Sequence, residues 1–344
     1  LWLPPDSNIV SMAQKTAGRF AEVLAWVVYL LLLYSLISAY ISGGSDVVHG
    51  LLQPFLPKAF SQRMAAIIFL LVFGTVVYYG IKPIDYMNRF LMTVKLTAFA
   101  MIILLILPNV NVPNLQGAHL RALVPAVTVV ITSFGFANII PSLRSYFHDD
   151  IKKLRIVIIA GSIIPLICYL SWVAVILAQV PLTGLHGLLQ MLTSSEPTSE
   201  LVRSLDIYLH SNSINTAAKI FTSISVATSF LGVALSLSDF LADGLKIKKK
   251  AKGKLYINAL TFIPPLLIVL FYPAAFIAAL NYAGFFCIIL LVMMPIYMAW
   301  RGRYILNLPD RKYQVAGGKP ALLLAFIAAI LIIIQDILVV SKVL

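Results

Sequence analysis

"AVTVVITSFGFANIIPSL", residues 126–143, decides how this chain is read. Both flanks are apolar enough to sit in lipid, yet the middle carries Ser133, Gly135, Asn138 and Pro141. In hydrocarbon every backbone N–H and C=O needs a partner. Glycine costs a helix about 1 kcal/mol relative to alanine, and proline removes a donor. A stretch like this crosses a membrane only where protein or a cavity surrounds the break. Two readings stay open. One is a proline-kinked helix that only packs. The other is a broken helix whose freed backbone groups hold a solute near mid-membrane. Phe134 and Phe136 flank Gly135 and suit the wall of an apolar pocket.

Working outward, the composition places that stretch in a bilayer. Of the 344 residues 60% are hydrophobic and 11% charged, and the mean hydropathy is +0.95. Soluble domains average about 25% charged residues. Nine apolar runs are long enough to span at about 20 residues each: 20–42, 62–80, 87–108, 121–147, 154–180, 217–240, 256–279, 282–300 and 320–341. This predicts an all-α integral membrane protein with nine transmembrane helices, the fourth of them broken. The last two long runs before the C-terminal one are expected to meet in a tight turn at Asn281. The segment 182–212 is amphipathic and reads as an extramembrane loop with short helices. Residues 1–19 read as a turn at Pro4–Pro5 and a short amphipathic helix capped by Asp6 or Ser7.

Lys and Arg distribution orients the runs. With residue 1 in the cytoplasm, 19 of the 26 basic residues fall on the inner side and 6 outside, Lys95 being the other. That asymmetry accounts for the net charge of +13 and for "KIKKKAKGK" (246–254), with no nucleic-acid partner required. Cys168 and Cys287 both lie in apolar runs, so no disulfide framework is expected, and no motif calls for a metal or other cofactor. GxSxG, HExxH and P-loop patterns are absent, which argues against an enzyme.

Three other features carry candidate chemistry. Ser225, Ser229, Gly232, Ser236, Asp239 and Asp243 recur at alternating spacings of four and three, on one helical face. With Thr228, that face reads first as close packing of small residues against another helix, and otherwise suits a cation or a proton relay. Lys95 lies about 13 Å into its run at 1.5 Å per residue. An intramembrane lysine is either a functional group or one that snorkels to the interface. Finally, "HDD" (148–150) precedes "IKKLR" and reads as a helix cap, while Tyr29, Tyr34 and Tyr40 share one helix and read first as belt or packing residues.

Several stretches, in order along nearly the whole chain, resemble one family. They are "AYISGG" (39–44), "NRFLMTVK" (88–95), "TSFGF…IPSL" (132–143), "GSIIPL" (161–166), "ATSFLGVAL" (227–235), "DFLADGLK" (239–246), "TFIPPL" (261–266), "LFYPAAFIAALNYAG" (270–284) and "GGKPAL" (317–322). The pattern is similar to the hydroxy/aromatic amino acid permeases of the amino acid–polyamine–organocation superfamily, in particular the bacterial tyrosine and tryptophan type. The resemblance implies two inverted five-helix repeats plus one helix. The nine runs would then be helices three to eleven, the first two lacking. Residues 1–120 would be the remainder of the first repeat, 121–300 the second repeat, and 320–341 the extra helix.

The resemblance also implies roles. Thr132, Ser133, Phe134, Gly135, Phe136, Asn138 and Tyr34 become candidate substrate contacts, and Lys95, Ser225, Thr228 and Ser229 candidate proton- or ion-coupling residues. Tyrosine-type relatives place a histidine after "SFGF", where this chain has Ala137. The implied activity is import of an aromatic amino acid, tyrosine first, by proton symport across the bacterial inner membrane. A serine/threonine permease of the same family is the nearest rival. A non-transporting membrane fragment or receptor is the rival of another class.

Overall fold

The computed structural model describes residues 2–4, 7–53, 55, 60–109, 126–148, 150–194, 196–209, 211–248, 251–308 and 315–343. The described residues form helices and no strand. In chain order these are α1 (Ile9–Ala17), α2 (Arg19–Leu52), α3 (Gln62–Tyr79), α4 (Ile81–Ile106), α5 (Ala126–Ser133), a 3₁₀ segment (Gly135–Ile139), α6 (Ile140–Tyr146), α7 (Ile151–Gln179), α8 (Leu188–Thr193), α9 (Pro197–Leu209), α10 (Asn212–Gly244), α11 (Ala251–Phe271), α12 (Ala275–Ile288), a π-helical turn (Ile289–Met293), α13 (Met294–Tyr304) and α14 (Gly318–Val343). Eight spans among the described residues are long and apolar enough to cross a membrane, with α12 through α13 counted as one. The ninth run, 121–147, is the broken one; its residues 121–125 lie outside the described residues, and the rest forms α5, the 3₁₀ segment and α6. The protein is therefore a multi-pass, all-α membrane protein.

Several expected boundaries move, for local reasons. The chain reverses at Tyr272–Ala274, not at Asn281, which lies inside α12. Proline disfavours helix in the residue before it, so Pro273 ends α11, and its carbonyl accepts a 2.7 Å hydrogen bond from Ser42 Oγ. α4 starts at Ile81, before residue 87, because Pro83 falls in the first helical turn, where a missing N–H costs no intrahelical bond. α2 runs on through Gly43 and Gly44, whose missing side chains admit the rings of Phe276 and Phe69. Asn8, rather than Asp6 or Ser7, caps α1: its Oδ1 accepts from the Ser11 amide at 2.8 Å. Ser7 N–H closes the turn onto the Pro4 carbonyl at 3.1 Å, and Asp6 lies outside the described residues. Asp150 caps α7 as expected, accepting from the Lys152 and Lys153 amides at 3.1 Å each. Those amides, that of Lys153 foremost, hold its carboxyl below the usual carboxylate range. Asp149 lies outside the described residues.

The chain divides into two compact units. The first comprises Leu1–Leu32, His119–Cys168 and Asn281–Leu344. In it α1 packs on α13, and α14 packs on α5, α13 and the π-helical turn. Trp2 fills the space left by Gly302, Arg144 donates to the Leu3 carbonyl at 2.9 Å, and Arg301 donates to the Ala17 carbonyl at 3.1 Å. The second unit comprises Leu33–Ala118 and Tyr169–Leu280. Its most extensive helix pair is α4 with α10. Phe69 and Phe73 of α3 meet Phe230 of α10, which stacks on Phe262 of α11. Trp172 packs against Phe99 and Phe221. The segment 182–212 is the layer of short helices the sequence predicts, α8 and α9, docked on Ile106, Val180 and Ile214 through Met191, Val202 and Leu205.

Candidate functional site

The break in the first unit is built from two residues. α5 ends at Ser133, and the Phe134 N–H is shared between the carbonyls of Val130 and Ile131, both at 3.2 Å. The backbone passes through Phe134 at φ −102°, ψ 19°, then tightens into a 3₁₀ segment. Pro141 has no N–H to give to the carbonyl of Ala137 four residues back; the Ile140 N–H takes that carbonyl instead, and α6 begins. The chain thus changes hydrogen-bond register twice within nine residues without unwinding into an extended strand. A register change is where backbone groups lose their helical partners.

The candidate substrate residues distribute around this break. The hydroxyls of Thr132 and Ser133 return to their own helix, donating to the carbonyls of Thr128 and Val129 at 2.8 Å. Thr132 faces Gly284 of α12, where an added Cβ would lie 2.9 Å from its Oγ1. Ser133 is exposed, while Phe134, Gly135 and Phe136 are half-buried. The side chain of Asn138 lies outside the described residues. A Cβ on Gly135 would lie 3.4 Å from Cys287 Sγ and 3.8 Å from Leu291 Cδ1. The 3₁₀ segment therefore packs on the π-helical turn, two irregular helical stretches against each other. π-bulges recur at functional sites.

Thr128, almost fully buried, donates to both carboxylate oxygens of Asp336, at 2.6 and 2.7 Å. This ties the last helix, α14, to the half-helix that leads into the break.

The coupling candidates and Tyr34 lie in the second unit. Tyr34 donates to the Leu260 carbonyl at 2.8 Å, a structural tie between α2 and α11. Lys95 is half-buried on the same stripe of α4 as Ala98 and Ile102, which are buried. Asn88, two turns earlier on that stripe, has a buried Oδ1 without a hydrogen-bond partner. Because α4 begins at Ile81, Lys95 stands near its middle, with about 20 Å of helix on one side and 16 Å on the other at 1.5 Å per residue. A lysine stem covers only part of either distance.

On α10 the packed face is the apolar stripe of Ala227, Phe230, Leu231, Ala234 and Leu237. The hydroxyl face lies beside it: Ser225 and Ser229 are half-buried, and Gly232 has no neighbour within 4 Å of an added Cβ. Thr228 Oγ1 bonds back to the Ile224 carbonyl at 2.8 Å, and Ser229 hydrogen-bonds with the Tyr40 hydroxyl. The four coupling candidates thus fall on the two helices that pair most extensively.

Residues 1–336 match the model of the tryptophan/tyrosine permease family. The chain belongs to that family. It is 35% identical over 334 residues to "Tyrosine-specific transport system 1" of Haemophilus influenzae, covering 95% of this chain and 80% of that protein. "Tryptophan-specific transport protein" of Pseudomonas aeruginosa is 27% identical over 330 residues, covering 94% of this chain and 78% of its own length. "Glutamine transporter 2" of Aliivibrio fischeri is 29% identical over 349 residues, covering 96% and 83%. This permease family membership fits the run of apolar helices and the interrupted one among them.

Sequence reading passed over four parts of the site. Asp336 carried a signal, an acidic residue inside an apolar run, which marks a functional candidate by default. Gly284 and Cys287 carried none that distinguishes them from packing residues. The π-helical turn has no sequence signature at all.

Proposed function

We propose that the protein imports tyrosine across the bacterial inner membrane together with a proton, by alternating access. What supports the substrate is the graded similarity: 35% to a tyrosine-specific system against 27% to a tryptophan-specific one and 29% to a glutamine transporter. What supports the site is the interrupted helix at 133–141, with aromatic side chains on both sides of Gly135. Backbone groups freed at the register changes meet the substrate's ammonium and carboxylate, as in transporters with discontinuous helices. Phe134 and Phe136 face its ring. Residues 1–120 and 121–300 correspond to parts of two inverted repeats, with 320–341 as the added helix, and residue 1 lies on the cytoplasmic side.

Lys95 is the coupling group in this reading. Its ammonium is held by the hydroxyl face of α10, at Ser225, Thr228 and Ser229, and releases its proton inward. Uptake of labelled tyrosine by cells expressing the full-length protein tests the substrate. Excess unlabelled tyrosine should abolish uptake, tryptophan should compete partly, and glutamine and serine should compete far less. An apolar pocket discriminates by roughly 1–3 kcal/mol per lost group, or 10- to 200-fold. Equal competition by glutamine or serine would overturn the aromatic reading.

A further inference from the structure

The layer formed by α8 and α9 encloses a cluster of titratable side chains that the transport site does not use. Asp46 of α2 is fully buried. Its Oδ1 accepts from the side-chain amide of Gln62 on α3, and the backbone N–H of Thr198, near the start of α9, also faces the carboxyl group. Its Oδ2 is buried with no hydrogen-bond partner. Ser199 donates to the Asp46 backbone carbonyl at 3.2 Å, seating α9 on α2. One turn along α2, His49 places Nε2 at 3.2 Å from the Phe60 carbonyl and Nδ1 at 2.8 Å from Glu196 Oε1.

That arrangement counts protons. A carbonyl only accepts, so the Nε2 facing it carries a hydrogen. In a neutral imidazole Nδ1 is then a bare lone pair. That lone pair lies 2.8 Å from Glu196 Oε1 but off the line of a hydrogen bond, so Nδ1, like Asp46 Oδ2, is a buried polar atom without a hydrogen-bond partner and open to a proton. Asp46 stands in the same cluster with one oxygen unsatisfied. Nearby, Glu200 pairs with His186 at 2.5 Å and with Arg203 at 3.3 Å. A cavity of about 230 Å³ reaches Glu196, bordered by Arg203, Asp206 and Lys219 and by Asn215, whose Oδ1 also lacks a partner.

We infer that Asp46, His49 and Glu196 form a proton-binding site, reached through this cavity, by which the coupled proton enters the transport cycle. The inference rests on the proton-symport reading and on the α8–α9 layer facing outward. A proton taken from water at the Glu196–His49 contact leaves hydroxide to the solvent, and the free lone pair of Asp46 Oδ2 is its acceptor deeper in the protein.

The test uses the full-length protein in proteoliposomes, with labelled tyrosine accumulation measured against external pH and counterflow measured at equal pH on both sides. Wild-type accumulation should fall by about tenfold per pH unit once external pH exceeds the titration of the site. Asp46→Asn preserves shape and an acceptor for Gln62; it should keep counterflow and lose the pH dependence. Glu196→Gln should move the profile in the same way, and carries the test alone if the Asp46 variant does not reach the membrane. A steep wild-type profile that Asp46→Asn and Glu196→Gln both retain would overturn the site alone. A wild type that accumulates tyrosine only on a sodium gradient would overturn the coupling itself, and the site with it.

Discussion

Gly135 occupies a position where its neighbours tolerate a methyl group. Contacts of 3.4 and 3.8 Å to Cys287 and Leu291 are ordinary van der Waals distances, and its φ is not in the left-handed region. Gly135→Ala should therefore insert and fold normally, so any change in its transport reports on substrate contact rather than on packing. We expect KM for tyrosine to rise several-fold; full transport at unchanged KM would remove the backbone contact from the proposal. Gly135→Leu should abolish uptake while the protein still inserts. Thr128 makes a different prediction. Its hydroxyl donates to Asp336, and leaving a part-buried carboxyl group without its donor costs about 1–3 kcal/mol. Thr128→Val should lower the unfolding midpoint of the detergent-solubilised protein, and Thr128→Ser should restore it. Both residues show how legibility divides at this scale. Gly135 and Pro141 announce a break because glycine weakens a helix and proline removes a donor from its ladder. The Thr128–Asp336 bond joins residues 208 positions apart, and nothing local to either names the other.

Helices were legible where the apolar pattern ran long, and their ends were misread where packing overrides local signals. Gly43 and Gly44 look like a helix stop. They continue α2 because the rings of Phe276 and Phe69 take the space, Phe69 carbons lying 2.5–2.6 Å from an added Cβ at Gly44. Gly44→Ala should thus destabilise the protein by about 1–3 kcal/mol, as overpacking does, visible as a lower yield of folded protein, and Phe69→Leu should relieve it. The cap of α1 moved from Asp6 or Ser7 to Asn8 because three adjacent residues can all cap and only tertiary placement chooses. The cap at Asp150 falls within the expected HDD stretch, its carboxylate accepting from the Lys152 and Lys153 amides. Its carboxyl is held low, so its contribution is complete at neutral pH and is lost only as pH falls through that lowered value.

At the scale of the molecule the sequence speaks through charge. The inner and outer assignments predict that Thr183, in the turn before α8, faces outward and that Lys252, at the start of α11, faces the cytoplasm. With Cys168 and Cys287 replaced by Ser, Thr183→Cys should react with a membrane-impermeant thiol reagent in intact cells, and Lys252→Cys only after lysis. The reverse pattern would invert the topology. Coupling belongs to this scale as well. Lys95→Ala should eliminate accumulation driven by a proton gradient while leaving tyrosine counterflow, and sodium should not alter wild-type uptake. Accumulation that persists in Lys95→Ala would return the lysine to a packing role. The pairing of α4 with α10 was not readable from the sequence, because it depends on an apolar stripe adjoining the hydroxyl face rather than on that face itself.

The π-helical turn at Ile289–Met293 sets an angular offset. One residue in an α-helix is about 100° of rotation, so the turn fixes the phase of α13 against that of α12 like the offset of a vernier. Upstream of it, Gly284 and Cys287 address Thr128, Thr132 and Gly135; downstream, Arg301 and Gly302 address Ala17 and Trp2. Deleting Leu291 would regularise the helix and swing every later side chain by that angle. Trp2 would then lose its seat and Ala17 its guanidinium, although no residue touching either had been changed.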